Sequence, residues 1–188
     1  LRPAAADEAR LVADTAATIG LSHRTLLWTG PKPATGLQEA AREARYALLT
    51  AEARQLGFSH IVTAHHADDQ AETVLMRLAA GSGIAGLAGM RVLTEREGLT
   101  LARPLLGVEK ARLVATCAAR GVPFARDPSN DDPRYGRTRA RAALEVLSGE
   151  GLTTSRLVRL TARAARAVAA LVLRADKARA EAGLHCTD

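Results

Sequence analysis

Ser59-His-Ile-Val-Thr-Ala-His65-His66-Ala-Asp68-Asp69-Gln-Ala-Glu72-Thr-Val-Leu-Met-Arg77-Leu-Ala-Ala-Gly81-Ser-Gly83 decides how the rest of this chain is read. It opens on a short apolar run, Ile61 to Ala64, too short for a helix and β-branched enough for a buried strand. Two histidines and two aspartates follow. Apolar residues then recur at Val74, Leu75 and Leu78 with the spacing of an amphipathic helix. A strand that ends in charged residues and runs into a helix is where open α/β sheets place their chemistry. With a helix starting near His66, Asp69 and Glu72 (i, i+3) and Asp68 and Glu72 (i, i+4) share a face, and His65 lies one turn earlier. Such a cluster can hold Mg²⁺ through oxygen ligands or supply a general base. Carboxylates also favour the first turn of any helix, so capping explains part of the pattern. A zinc site is not expected, because no Cys or His-x₃-His pair accompanies the cluster.

Outward from this stretch, Ala4 to Gly20 reads as a helix stopped by glycine. Arg24 to Trp28 reads as a strand closed by the turn residues Gly30-Pro31-Lys32-Pro33, and Gly36 to Leu56 as a second helix. Helices alternating with short buried strands predict a parallel sheet with crossover helices. On the other side, Gly81 to Gly89 is a glycine-rich loop whose spacing is not that of a P-loop. Val92–Thr94 and Leu99–Ala102 flank Glu95-Arg-Glu-Gly98 as a hairpin. A helix is expected over Glu109–Arg120, a dense turn over Asp127–Pro133, and one long helix over Leu152–Ala182. Arg137 and Arg141 lie one helical turn apart, so both can reach one phosphate backbone, with Tyr135 available to stack on a base. Arg77 joins them as a candidate nucleic-acid contact.

The 188 residues are 47% apolar and carry a net charge of +6, with a pI of about 10.1. That balance favours a polyanionic partner, although arginine amid abundant alanine is also what GC-rich coding produces. Cys117 and Cys186 lack metal or redox spacing, no apolar run is long enough for a membrane span, and no signal peptide opens the chain; a cytoplasmic setting is expected.

Four stretches together carry a resemblance. They are Gln38 to Tyr46; Thr63 to Met90, with its His65-His66-Ala-Asp68-Asp69 and Gly81-Ser-Gly83 motifs; Arg103-Pro-Leu-Leu106 with Lys110; and Asp127-Pro-Ser-Asn130 with the arginines after it. In this order and spacing the chain resembles the tRNA(Ile)-lysidine synthetases, a family of the PP-loop (N-type) ATP pyrophosphatase group. The resemblance implies an α/β fold: a Rossmann-like, parallel-sheet PP-loop ATPase domain over residues 1–147, followed by the start of a helical domain over 148–188. It implies ATP and Mg²⁺ as cofactors, and L-lysine and the tRNA(Ile) with a CAU anticodon as partners. The implied reaction adenylates C2 of the wobble cytidine, and the lysine ε-amine then displaces AMP to give lysidine.

Carried over by position, the resemblance makes Arg45, His65, Asp69 and Glu72 catalytic, with Arg45 near the adenylated cytidine and the other three handling Mg²⁺, the activated base or the lysine ammonium. It makes Arg137 a nucleotide or tRNA contact with Arg141 beside it. Asp68 and Asp69 are the candidate Mg²⁺ ligands. The family's phosphate loop, Ser-Gly-Gly-x-Asp-Ser, does not occur in these residues. The expectation is therefore a partial PP-loop domain lacking its first strands, with an open sheet edge that favours self-association as a homodimer. Ala79-Ala80 and Thr138 depart from the family pattern, which has arginine and asparagine there. Two other readings share these residues: another PP-loop tRNA-modifying enzyme such as a thiolase, and a non-catalytic, RNA-binding PP-loop remnant.

Overall fold

The helix expected to begin near His66 starts at Ala67, and His66, which ends the extended stretch, is its N-cap. The computed structural model describes residues 5–125 and 136–182. Along the chain these form α1 (Ala5–Thr18), α2 (Leu37–Gln55), β1 (His60–Val62), α3 (Ala67–Ala79) and a one-turn α4 (Ile84–Leu87). After these come β2 (Leu93–Arg96), β3 (Leu99–Ala102), α5 (Lys110–Ala119), α6 (Gly136–Gly149) and α7 (Thr154–Glu181). Two compact units result. The first takes Leu1–Thr63, Leu93–Ala102 and Ala111–Asp127; the second takes Ala64–Val92, Arg103–Lys110 and Pro128–Asp188.

In the first unit, α2 ends in a glycine-terminated cap. Gly57 adopts φ 71°, while Phe58 N donates to Ala53 O at 2.8 Å and Gly57 N to Arg54 O at 3.1 Å, the pairing that reverses a chain out of a helix. β1 follows within three residues. Its Ile61 is buried together with Tyr46, Ala53, Leu99 and Leu101, which form the core of this unit. In β3, Leu99 and Leu101 are buried and Thr100 and Ala102 are not, the period of a strand with one covered face. Glu97 and Gly98 both have positive φ, the two-residue turn whose twist matches a hairpin.

Two expectations about the sheet need correction. The sheet is mixed, not parallel: its order is β1-β3-β2, with β1 parallel to β3 and β2 antiparallel to β3. The hairpin itself is the reason, since its second strand lies beside β1 and its first takes the edge. The strand expected at Arg24–Trp28 is absent from the ladder. β propensity at these residues meets no partner strand among the described residues, and without one no ladder forms. Arg24 instead pairs with Glu52 at 2.5 Å, and the Lys32 ammonium stands 4.7 Å from the centre of the Trp28 ring.

The second unit is helical. Ala71, Val74 and Leu157 form its buried centre, with Leu87, Leu144 and Leu152 against them. Gly81–Gly89, expected as a loop, contains α4 and is clamped from α3. Gln70 Nε2 donates to Met90 O and Met90 N donates to Gln70 Oε1, each at 2.8 Å. A Cβ on Gly89 would come within 2.7 Å of that amide, so only glycine fits. Gln70→Ala is expected to cost about 1–3 kcal/mol through the two lost bonds and the cavity, measured as a shift in the urea unfolding midpoint. The turn out of α6 falls at Glu150 and Gly151, where Leu152 N donates to Leu147 O at 2.9 Å. The turn at Asp127–Pro133 and the ring of Tyr135 lie outside the described residues, as does Cys186. Among the described residues, no helix is long and apolar enough to cross a membrane.

Candidate active site

The N-terminal turns of α3 gather most of the residues singled out by sequence. His66 N donates to Asp69 Oδ2 at 2.9 Å, and Asp69 N donates to His66 Nδ1 at 3.4 Å. This reciprocal capping box satisfies two of the amides that a helix start leaves without partners. The His66 ring also lies 3.5 Å from Oδ2 of both Asp68 and Asp69. Asp68 Oδ2 accepts from the Lys110 amide at 2.8 Å. One aspartate therefore folds back on its own helix, and the other ties the helix to the 103–110 segment. His65 is half-buried, one residue before the cap.

Glu72 is the most telling residue. It is only 1% exposed, and its Oε1 accepts from Arg141 Nε at 2.9 Å and from Nη2 at 2.8 Å. Its Oε2 is buried and has no hydrogen-bond partner among the described residues. A buried carboxylate oxygen left unsatisfied is costly, and native proteins keep one only where something else compensates. Glu72 and Arg141 line a cavity of ≈ 420 Å³ with His66, Asp68, Lys110 and Glu145. This wall carries three carboxylates and two fixed cations, a setting that suits a small ligand bearing both amine and acid groups.

The remaining candidates stand elsewhere. Arg137 is exposed on the first turn of α6. Arg77 Nη1 donates to Gly86 O at 2.8 Å and to Gly89 O at 3.0 Å, so its guanidinium holds the glycine loop in place. Arg45 belongs to the first unit, exposed on α2, where it lines a hollow of ≈ 970 Å³ with Arg24, Trp28 and Lys32. Sequence reasoning missed the capping role of His66 and the presence of Glu145 and Lys110 in the cavity. Glu145 follows Arg141 at i+4, a spacing that places both on one side of α6 and was there to be read.

Among the described residues no group of three or more His, Cys, Asp or Glu side chains is placed to hold a metal ion. Asp68 and Asp69 each use Oδ2 for a backbone amide. Their Oδ1 atoms carry no hydrogen bond to a described residue, and two carboxylate oxygens are a donor type that suits magnesium.

A family model described as a PP-loop domain matches residues 1–147. The chain belongs to the PP-loop family. That model is of an ATP-binding domain, and the fold accordingly is α/β, here with a small mixed sheet and a long C-terminal helix. This PP-loop chain is 60% identical over 178 residues to the tRNA(Ile)-lysidine synthase of Rhodopseudomonas palustris, covering 95% of this chain and 51% of the relative. It is 57% identical over 178 residues to the enzyme of the same name from Methylobacterium nodulans, covering 95% and 52%. The chain thus spans about half the length of the curated relatives it matches. Among solved structures it is similar to the U34-tRNA thiolase NcsA from Methanococcus maripaludis with its 4Fe-4S cluster. That likeness has a TM-score of 0.66 at 14% identity and covers 84% of this chain and 56% of the thiolase, so it speaks for the fold alone.

Proposed function

We propose that this PP-loop chain is the part of a tRNA(Ile)-lysidine synthase that binds lysine and joins it to the wobble cytidine of the CAU-anticodon tRNA(Ile). The observation that carries the reading is Glu72, a buried carboxylate that lines a cavity of charged groups and whose Oε2 has no hydrogen-bond partner among the described residues. A lysine ammonium is the complement of such a carboxylate-bearing wall, to which it can donate charge-assisted hydrogen bonds. The relatives' names supply the substrate pair.

In the proposed reaction the C2 oxygen of the cytidine attacks the α-phosphate of ATP and pyrophosphate leaves. The ε-nitrogen of lysine then attacks C2, the C–N bond forms, and AMP departs with the former C2 oxygen. The attacking amine must shed a proton, and His65 and Asp69 at the start of α3 are the bases assigned to it. Asp68 and Asp69 would hold Mg²⁺, which neutralises phosphate charge while bound. Arg45 is assigned to the adenylated cytidine, on the resemblance of the Gln38–Tyr46 stretch. Arg137 and Arg141 are assigned to RNA, and Arg77 acts through the loop it clamps. Residues 1–147 are taken as the catalytic domain and 148–188 as the start of a helical one.

The test is ATP-dependent incorporation of labelled lysine into a CAU-anticodon tRNA(Ile) transcript by the protein as its cell makes it. Asp69→Asn keeps an oxygen for the His66 amide, so the cap survives while the charge is lost. Both this variant and Arg45→Ala are expected to abolish lysine transfer, and wild-type rates in both would overturn the assignment. Transfer of sulfur instead of lysine would favour the thiolase reading. RNA binding without either reaction would favour the non-catalytic one.

A further inference from the structure

Helix α7 (Thr154–Glu181) carries a feature that the proposed site does not use. Its Leu157, Thr161 and Ala164 are buried, which fixes the side that faces the second unit. Arg156, Arg159, Arg163, Arg166 and Arg174 are all exposed. With 3.6 residues per turn, these five and Lys177 fall within about 80° of arc, centred roughly opposite the buried side. From Arg156 to Arg174 the row is about 27 Å long at 1.5 Å per residue. No Asp or Glu occurs in α7 before Asp176. Arg156 Nη1 donates to Gly151 O at 2.6 Å. Arg159, Arg163, Arg166 and Arg174 make no hydrogen bond or ion pair with any described residue.

A helix side that only needs hydration is usually laced with i, i+4 pairs of opposite charge, which relieve repulsion along it. This one repeats a single sign at spacings of three and four from Arg156 to Arg166 and again two turns on at Arg174, with no acidic residue of the helix before Asp176 to neutralise it, so it stores repulsion that a polyanion relieves. Guanidinium forks are weakly hydrated and suit phosphate oxygens. Neither aromatic nor amide side chains interleave with the arginines, so the row offers contacts to a backbone and none that would read bases.

We propose that the exposed arginine row of α7 docks on the sugar–phosphate backbone of the tRNA body, independently of sequence and apart from the cavity beside Glu72. The partner being tRNA rests on the function proposed above. The row would add affinity and orientation, leaving the choice of nucleotide to the active site.

The experiment measures binding of the chain to a folded tRNA transcript by fluorescence anisotropy across a salt series from about 50 to 200 mM KCl. Arg159→Gln, Arg163→Gln and Arg166→Gln combined remove three charges from exposed positions and keep good helix formers. The expected result is a drop of about two in the slope of log affinity against log salt. Affinity at the low-salt end should fall about tenfold or more. The corresponding triple lysine variant should keep the wild-type slope, and circular dichroism should show all three proteins equally helical. Unchanged slope and affinity in the glutamine variant would overturn the proposal, as would an equal loss in the lysine variant. Binding to phosphatidylglycerol vesicles that the glutamine variant loses, with RNA binding intact, would overturn it in favour of a membrane surface. Lysine incorporation separates this inference from the reading beneath it. An active enzyme with no slope change loses only the arginine row, whereas a slope change in a protein that transfers no lysine loses only the ligase.

Discussion

Arg141→Ala is expected to destabilise the protein by about 3 kcal/mol, the lower end of the 3–5 kcal/mol range for breaking a buried ion pair. The two partners are unequally buried. The Glu72 side chain is 2% exposed, while that of Arg141 is 35% exposed. Removing the guanidinium therefore strands a carboxylate in the interior, whereas removing the carboxylate leaves a cation that can turn toward water. Oε1 would lose both of its donors, and Oε2 has none among the described residues to make up for them. Adding Glu72→Gln to Arg141→Ala should recover part of the loss, because an amide is cheaper to bury than an unpaired charge. The check is a double-mutant cycle by urea unfolding, with a coupling well above the ~0–1 kcal/mol of a surface pair. A loss under about 1 kcal/mol would mean that water reaches Glu72 and the pair is an ordinary exposed one.

Local features of this fold were legible, and pairings between distant segments were not. The start of α3 follows from residues three apart in sequence, and the capping box uses those same residues. The hairpin turn is set by Glu97 and Gly98 alone. By contrast, whether Arg24–Trp28 joins a sheet depends on a partner strand elsewhere in the chain, and a pattern of β-branched and apolar residues contains no record of that partner. The position of β3 beside β1 has the same character, because Thr100 and His60 are forty residues apart. Side-chain reach explains the rest. Arg77 is a candidate nucleic-acid contact on sequence, and spacing gives no sign of its local partners. Its length lets it fold onto the carbonyls of Gly86 and Gly89, nine and twelve residues on. Glu72 was legible as a member of the cluster, yet its half-satisfied state needs both Arg141 and the depth of burial, and neither can be read from spacing.

Glu72→Gln is expected to separate the two halves of the proposed reaction. The first half, attack of the cytidine on ATP, makes no demand on a lysine anchor, so tRNA-dependent pyrophosphate release should persist within a few-fold of wild type. The second half needs the ammonium held beside C2, and the amide offers it a neutral oxygen in place of a charged one. Losing one member of a buried, hydrogen-bonded charge pair costs about 3–4 kcal/mol, which is about 10²- to 10³-fold in lysine transfer at subsaturating lysine. If Glu72 only binds, the effect falls on KM for lysine and saturating lysine restores the rate; if it also orients the amine for attack, kcat falls as well. The substitution is nearly isosteric and leaves an acceptor for Arg141, so folding should survive, and a thermal melt within a few degrees of wild type is the control. Loss of pyrophosphate release together with lysine transfer in a folded variant would place Glu72 in the adenylation step and remove the lysine anchor from the mechanism. An unchanged KM and kcat for lysine would remove it too, leaving the orphaned Oε2 as a purely structural cost that the Arg141 pair has to carry.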